Sequence, residues 1–160
     1  ALDPNNGDIY VSDGYGNSKV HKYSPDGKLL FSWGESGTGP GEFKLPHGII
    51  ADQNDQIYVM DRENDRIQVF DTNGEYQREW SIPRPCGSYI DGDDVIHSAS
   101  LSGQVYIHRL DGELISSWGS IGPESWQFTG APHGLWIDSH EDIYVAQVLN
   151  PNGLNKFTRV

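Results

Sequence analysis

Apolar and polar residues alternate in short runs along this chain, and the runs recur. Ile9-Tyr10-Val11, Ile57-Tyr58-Val59 and Ile143-Tyr144-Val145 are near-identical triplets, and Val95-Ile96-His97 reads as a degenerate fourth copy. Their spacings are 48, 38 and 48 residues. Trp33, Trp80 and Trp118 form a second series, and the turn pairs Asp26-Gly27, Asn73-Gly74 and Asp111-Gly112 a third. Pro46-His47-Gly48, Pro85-Cys86-Gly87 and Pro132-His133-Gly134 form a fourth. Four landmarks kept in one order mark a true internal repeat.

The best copy resolves into four short strands: Gly48 to Ala51, Gln56 to Asp61, Arg66 to Asp71 and Glu75 to Trp80. The alternation of Ile67 with Val69 and of Tyr76 with Trp80 has the period of a strand, and no long helical period competes. The Asp-Gly and Asn-Gly pairs read as two-residue hairpin turns. Four-stranded units recurring at roughly 40–50 residues are the signature of β-propeller blades. The expected fold is therefore all-β, with residues 1–160 forming one partial propeller domain. Its blade segments fall at about 1–34, 44–81, 83–119 and 130–160. Ala1-Leu2-Asp3-Pro4 aligns with the end of a first strand, like Ile50-Ala51-Asp52-Gln53. The last segment shows strands at 134–138, 142–147 and 155–160 without a fourth. The pattern is thus two complete blades flanked by two partial ones. Closed propellers hold about 4–8 blades, so a longer polypeptide or a second copy of the chain, as a homodimer, is expected to complete the ring. Trp33, Trp80 and Trp118 are expected between blades, in the core.

Composition narrows the function. Net charge is −12, with 23 acidic against 11 basic residues, and no basic cluster breaks the trend. A phosphate backbone would be repelled, so nucleic acid is not an expected partner. No apolar run approaches the ~18 residues of a membrane span, and Ala1 to Asn6 lack the basic start and apolar centre of a signal peptide. The one cysteine, Cys86, excludes a disulfide within the chain and does not settle the compartment.

Candidate chemistry follows from topology. The first two strands of a blade are antiparallel, so the start of the first and the end of the second share one end of the propeller. His47 and His133 are expected just before first strands. Tyr15 and Arg62 follow second strands, after the aligned Asp13 and Asp61. All four are expected around one mouth of the central channel. His47 and His133 lie 86 residues apart, which is two blades. Two such histidines call for a third, two blades earlier and ahead of Ala1. Three imidazoles around an axis with open positions make a catalytic zinc arrangement. The other reading of Pro-His-Gly is a turn whose histidine caps backbone groups. Cys86 holds the equivalent position on the intervening blade, as a small core residue or an extra ligand. Tyr15, flanked by Gly14 and Gly16, is either an exposed loop residue or a base beside the metal. Arg62 is either a bidentate holder of a carboxylate or a rim partner of Glu63 or Asp65. His21, His97, His108 and His140 read as structural or exposed.

The repeats resemble NHL repeats. More specifically, Tyr10 to Val20, Tyr23 to Lys28, Trp33-Gly34-Glu35, Pro40-Gly41-Glu42-Phe43, Pro46-His47 and Asp61 to Phe70 closely resemble the peptidyl-α-hydroxyglycine α-amidating lyases. These are zinc enzymes that complete C-terminal peptide amidation. The likeness is dense over residues 1–80, looser through the third blade, and returns at Ala131-Pro132-His133-Gly134 and Lys156-Phe157. It implies a six-bladed NHL propeller present as its C-terminal half. Zinc would be held by three histidines, two of them matching His47 and His133, with Tyr15 as catalytic tyrosine and Arg62 as active-site arginine. The implied reaction cleaves peptidyl-α-hydroxyglycine to a peptide amide and glyoxylate. The resemblance also favours a soluble, extracytoplasmic protein. Gly134 stands where the family carries an acidic calcium ligand, which argues against calcium, and Gly16 replaces a disulfide cysteine of the animal enzyme. The alternative function is a non-catalytic NHL scaffold that binds a protein or peptide.

Overall fold

A computed structural model describes residues 1–124, 126–148 and 153–158. The chain divides into two compact units, Ala1–Arg84 and Pro85–Val160. In the first, β1 (Ile9–Asp13), β2 (Lys19–Tyr23) and β3 (Leu29–Trp33) form an antiparallel meander. Leu2 bridges to Ile9, so the segment aligned with a first strand does pair on β1. A short parallel pair follows, β4 (Glu35–Ser36) and β5 (Glu42–Phe43). A four-stranded meander completes the unit: β6 (Pro46–Ala51), β7 (Gln56–Asp61), β8 (Arg66–Asp71) and β9 (Tyr76–Ser81). A single 3-10 turn, Arg62–Asn64, joins β7 to β8. The second unit has a four-stranded meander, β10 (Pro85–Ile90), β11 (Val95–Ser100), β12 (Gln104–Arg109) and β13 (Leu114–Trp118). A three-stranded one follows, β14 (Ala131–Ile137), β15 (Ile143–Val148) and β16 (Leu154–Phe157). Two complete blades flanked by two partial ones is the arrangement the repeat predicts. The last expected strand, 155–160, corresponds to β16, and its final two residues lie outside the described residues.

Burial explains why these runs become strands. β7 and β8 are almost wholly buried, β7 through the apolar run Ile57 to Met60 and β8 through alternating apolar and hydrogen-bonded polar residues, whereas β9 alternates half-buried and exposed positions as an outer strand does. The first unit's core is Tyr10, Val20, Phe43, Ile57, Val59 and Phe70, with Trp33, Ile49, Ala51 and Tyr76 packed against it. Trp33 meets Tyr10 and Phe70 at ring distances of 6.2 and 5.8 Å. In the second unit Val105, Phe128 and Val145 are buried beneath Trp118, Leu135, Ile143 and Phe157. Trp33 and Trp118 therefore line the cores rather than filling them, and Trp80 flanks Tyr58.

Three details differ from the pattern read along the chain. The Asp-Gly and Asn-Gly pairs end three-residue loops, not two-residue ones. Ser24 N–H bonds Lys28 O, Asp71 N–H bonds Glu75 O and Arg109 N–H bonds Glu113 O. Each loop closes on a left-handed glycine, with φ of +83° at Gly27, +81° at Gly74 and +95° at Gly112. Next, the third copy of the triplet is Ile96-His97-Ser98, one residue further on. A repeated aspartate sets this register. Asp52 accepts the Asn54 and Gln56 N–H groups on one oxygen and the Tyr58 hydroxyl on the other. Asp138 does the same for His140, Asp142 and Tyr144. Asp91 caps Asp93 and Val95, and its second oxygen lies 2.8 Å from His97 Nε2, so His97 stands where Tyr58 does. Last, His47 and His133 do not precede first strands but lie inside β6 and β14, at register shifts between Pro46 and Gly48 and between Pro132 and Gly134. A bulge lets the strand begin earlier while its extra residue escapes the ladder.

Two outcomes follow. Phe43 is fully buried and meets Phe70 at 5.7 Å. Phe43→Ala should cost about 3–5 kcal/mol by urea unfolding; a cost below about 1 kcal/mol would contradict its place in the core. Burial also holds the His108 imidazole below its ordinary pKa. The unfolded chain takes up that proton below about pH 6.5, so the stability from the neutral ring is present above that pH and is lost as pH falls toward the folded value. Urea midpoints should therefore drop between about pH 7.5 and 5.5, and His108→Gln should flatten the drop; an unchanged slope would contradict the assignment.

Candidate functional site

The first unit gathers three of the four candidate residues. Tyr15 sits on the turn between β1 and β2, His47 on the bulge of β6, and Arg62 at the head of the 3-10 turn after β7. Arg62 Nη1 donates to the Tyr15 hydroxyl at 3.1 Å, and the guanidinium carbon lies 5.6 Å from the Tyr15 ring centre. The Tyr15 and His47 rings meet edge to face with centres 5.9 Å apart. Tyr15 is 79% exposed, so its hydroxyl is open to a ligand. Arg62 Nε donates to Glu63 at 2.9 Å, and Arg84 reaches the same Glu63 oxygen at 3.3 Å. Burial opposes ionisation of Glu63, but the hydrogen bonds from the two arginines outweigh it and leave its carboxyl below the usual range. The rim contact with Glu63 and the contact with Tyr15 thus coexist, because they use different nitrogens of one guanidinium.

Close backbone approach puts Tyr15 beside His47. A Cβ added to Gly14 would lie 2.3 Å from Pro46 O. The β1 turn therefore runs directly against the start of β6. Ser12, near the end of β1, donates its hydroxyl to His47 O at 2.9 Å and pins the bulge from the same side.

A buried network holds the other side of the bulge. Asp61 is fully buried and accepts from Lys44 N–H, Asn64 Nδ2, Arg66 Nε and Gln68 Nε2 at 2.7, 2.7, 2.9 and 3.2 Å. Arg66 then donates to the carbonyls of Thr38, Gly39 and Glu42, and Asn64 to that of Gly37. Glu42 caps the Thr38 and Gly39 N–H groups. The loop ahead of β6 is tied down at almost every residue. It ends at Leu45, a non-glycine residue with φ of +70°. Such a conformation persists only where the surroundings over-determine it, and here Arg62 N–H bonds the Leu45 carbonyl.

In the second unit His133 occupies the bulge of β14, and Cys86 lies in the matching irregularity of β10, between Pro85 and Ser88. Cys86 is fully buried, and its Sγ is within 4.8 Å of a His133 ring nitrogen. This unit also holds a cavity of about 670 Å³ lined by Val95, Ile107, Trp118, Ile143 and Phe157 among others. His133 and Cys86 are not part of its lining. Of the other histidines, His21 lies 3.2 Å from Asp13 and 2.7 Å from Ser32, His97 pairs with Asp91, His108 is buried, and His140 is exposed. Sequence reasoning missed the bulges and the Asp61–Arg66 network. The run Asp61-Arg62-Glu63-Asn64-Asp65-Arg66-Ile67-Gln68 was visible, but its partners are carbonyls of a loop more than twenty residues away.

Comparison with known proteins agrees with the fold. The profile of the family DUF5128, described as a 6-bladed beta-propeller, matches residues 2–96. Peptidylglycine alpha-amidating monooxygenase of Rattus norvegicus is 45% identical over 85 residues, which is 49% of this chain and 9% of that protein. NHL repeat-containing protein 3 of Mus musculus is 33% identical over 163 residues, 89% of this chain and 44% of the relative. Peptidyl-alpha-hydroxyglycine alpha-amidating lyase 1 of Drosophila melanogaster is 27% identical over 186 aligned positions, 95% of this chain and 33% of that protein. The chain thus spans less than half the length of each. Among the described residues no helix is long and apolar enough to cross a membrane.

The close approach at Gly14 makes a testable contrast. Gly14→Ala should force the turn away from Pro46, lower stability by about 1–3 kcal/mol and move the His47 ring proton resonances as the Tyr15 ring departs. Gly16→Ala, whose Cβ would meet only an Asp13 oxygen at 3.5 Å, should leave both unchanged. Equal effects of the two changes would contradict the geometry.

Proposed function

The chain belongs to the 6-bladed beta-propeller family DUF5128, and from that premise we propose that it carries zinc-dependent lyase chemistry, cleaving peptidyl-α-hydroxyglycine to a peptide amide and glyoxylate. The supporting observation is the cluster of Tyr15, Arg62 and His47 in the first unit, with a guanidinium and an imidazole packed against the exposed Tyr15. Similarity to amidating enzymes along the chain supports the same reading.

His47 and His133 are the residues that would hold the metal. They fit it: imidazole is a zinc donor, and both sit on bulges that turn a side chain out of the ladder. A bound zinc would supply Lewis acidity to the substrate hydroxyl oxygen. Tyr15 then takes the hydroxyl proton. The electron pair left on oxygen forms the carbonyl of glyoxylate, the carbon–nitrogen bond breaks, and the departing amide nitrogen takes back the proton that Tyr15 removed. Arg62 donates one N–H to the Tyr15 oxygen and so holds the base in position for that transfer. Guanidinium is also the group suited to pair with the substrate carboxylate, which is the second role this reading gives Arg62. A peptide ending in α-hydroxyglycine is the partner this reading calls for, and an extracytoplasmic location accompanies it. The −12 charge leaves nucleic acid outside it.

The test is zinc content by elemental analysis together with glyoxylate release from a short acyl-α-hydroxyglycine. The chain should retain zinc and lose it in His47→Ala. Tyr15→Phe should keep the zinc and lower glyoxylate release about 10²–10⁴-fold. Absence of zinc, or full activity in Tyr15→Phe, would overturn the proposal.

A further inference from the structure

We propose that Cys86 is itself a metal ligand, paired with His133, so that the metal centre of this chain carries a thiolate. The inference rests on the zinc reading above only for the identity of the metal.

Three observations converge within the second unit. The first is position. Pro85-Cys86-Gly87 opens β10 as Pro132-His133-Gly134 opens β14, and each has a register irregularity at that point. Cys86 is therefore displaced from the ladder as His133 is. The second is proximity. Cys86 Sγ and a His133 ring nitrogen lie within 4.8 Å of each other. A tetrahedral zinc with a sulfur at about 2.3 Å and a nitrogen at about 2.0–2.1 Å separates those two atoms by about 3.5 Å. Small side-chain rotations close that difference. The third is the backbone between them. A Cβ on Gly87 would lie 2.9 Å from His133 O and 3.1 Å from Gly134 Cα. The two bulges are thus held against each other by main chain, and glycine is what permits it. A packing role for Cys86 would require neither this backbone approach nor the shared bulge.

The donor set has consequences. Thiolate with imidazole selects zinc, cobalt or copper(I) over calcium and magnesium. Binding replaces the thiol proton, which leaves to solvent, so metal uptake by Cys86 strengthens as pH rises.

Cobalt(II) reports the ligand directly, because a thiolate–cobalt bond gives a near-ultraviolet charge-transfer band that imidazole and water do not. The full chain loaded with cobalt should show that band. Cys86→Ser should abolish it and weaken zinc binding by about tenfold or more, with an unchanged urea midpoint showing that the fold is kept. His133→Ala should weaken binding as well. Cobalt bound without the band in the unaltered chain would overturn the assignment of Cys86 and leave the lyase reading standing. Retention of neither cobalt nor zinc would overturn both. The band without glyoxylate release would uphold the ligand and remove the lyase.

Discussion

The first unit depends on one buried ion pair. Asp61 and Arg66 meet at 2.9 Å with the carboxylate fully out of water. Two charges in that environment are costly unless every remaining donor and acceptor is used. Here they are used. The carboxylate collects four donors, and the guanidinium spends its outer nitrogens on loop carbonyls and on Glu79. The pair is less a source of stability than a specification: it allows one path for residues 37–45, and that path delivers the chain into β6 with His47 on its bulge. Removing either partner would leave an uncompensated buried charge, a loss of about 3–5 kcal/mol.

The bulge at the head of a first strand is the recurring device. Strand pairing would otherwise commit every residue to one face or the other. An extra residue breaks that commitment, and the chain places His47, Cys86 and His133 there. The supports differ between copies. Around His47 they are the Ser12 hydroxyl, the Pro46 carbonyl over Gly14 and the strained Leu45. Around His133 they are Gly87 and its own neighbour Gly134. One architectural position is thus reused while its chemistry varies, as expected of repeats whose cores are shared and whose loops diverge.

Much of this was legible in the sequence because repeats state their own boundaries. The strands, the meander order and the convergence of Tyr15, Arg62 and His47 in one unit all follow from aligned triplets and antiparallel geometry. What stayed hidden depends on distance in the chain. The ties from Arg66 to Thr38, Gly39 and Glu42 have no local signature. Phe43 and Phe128 seal their cores under Gly34 and Gly119, where any Cβ would collide with the ring, and only the fold shows that these glycines and phenylalanines are partners. The one-residue misplacement of the third triplet came from reading apolar residues alone. The aspartate six residues ahead of Tyr58, Tyr144 and His97 was the better ruler, because two of its hydrogen bonds and the ring it holds fix the register together.

Belonging to a 6-bladed propeller family accounts for the fold, and the proposed chemistry rests on the bulge residues. The most direct test of the second statement is the zinc X-ray absorption spectrum of the zinc-loaded chain. Metal held at the bulges should give imidazole multiple scattering from nitrogen at about 2.0–2.1 Å. A spectrum of oxygen neighbours alone, without imidazole features, would contradict the account, because the metal would then sit on surface carboxylates of an acidic chain.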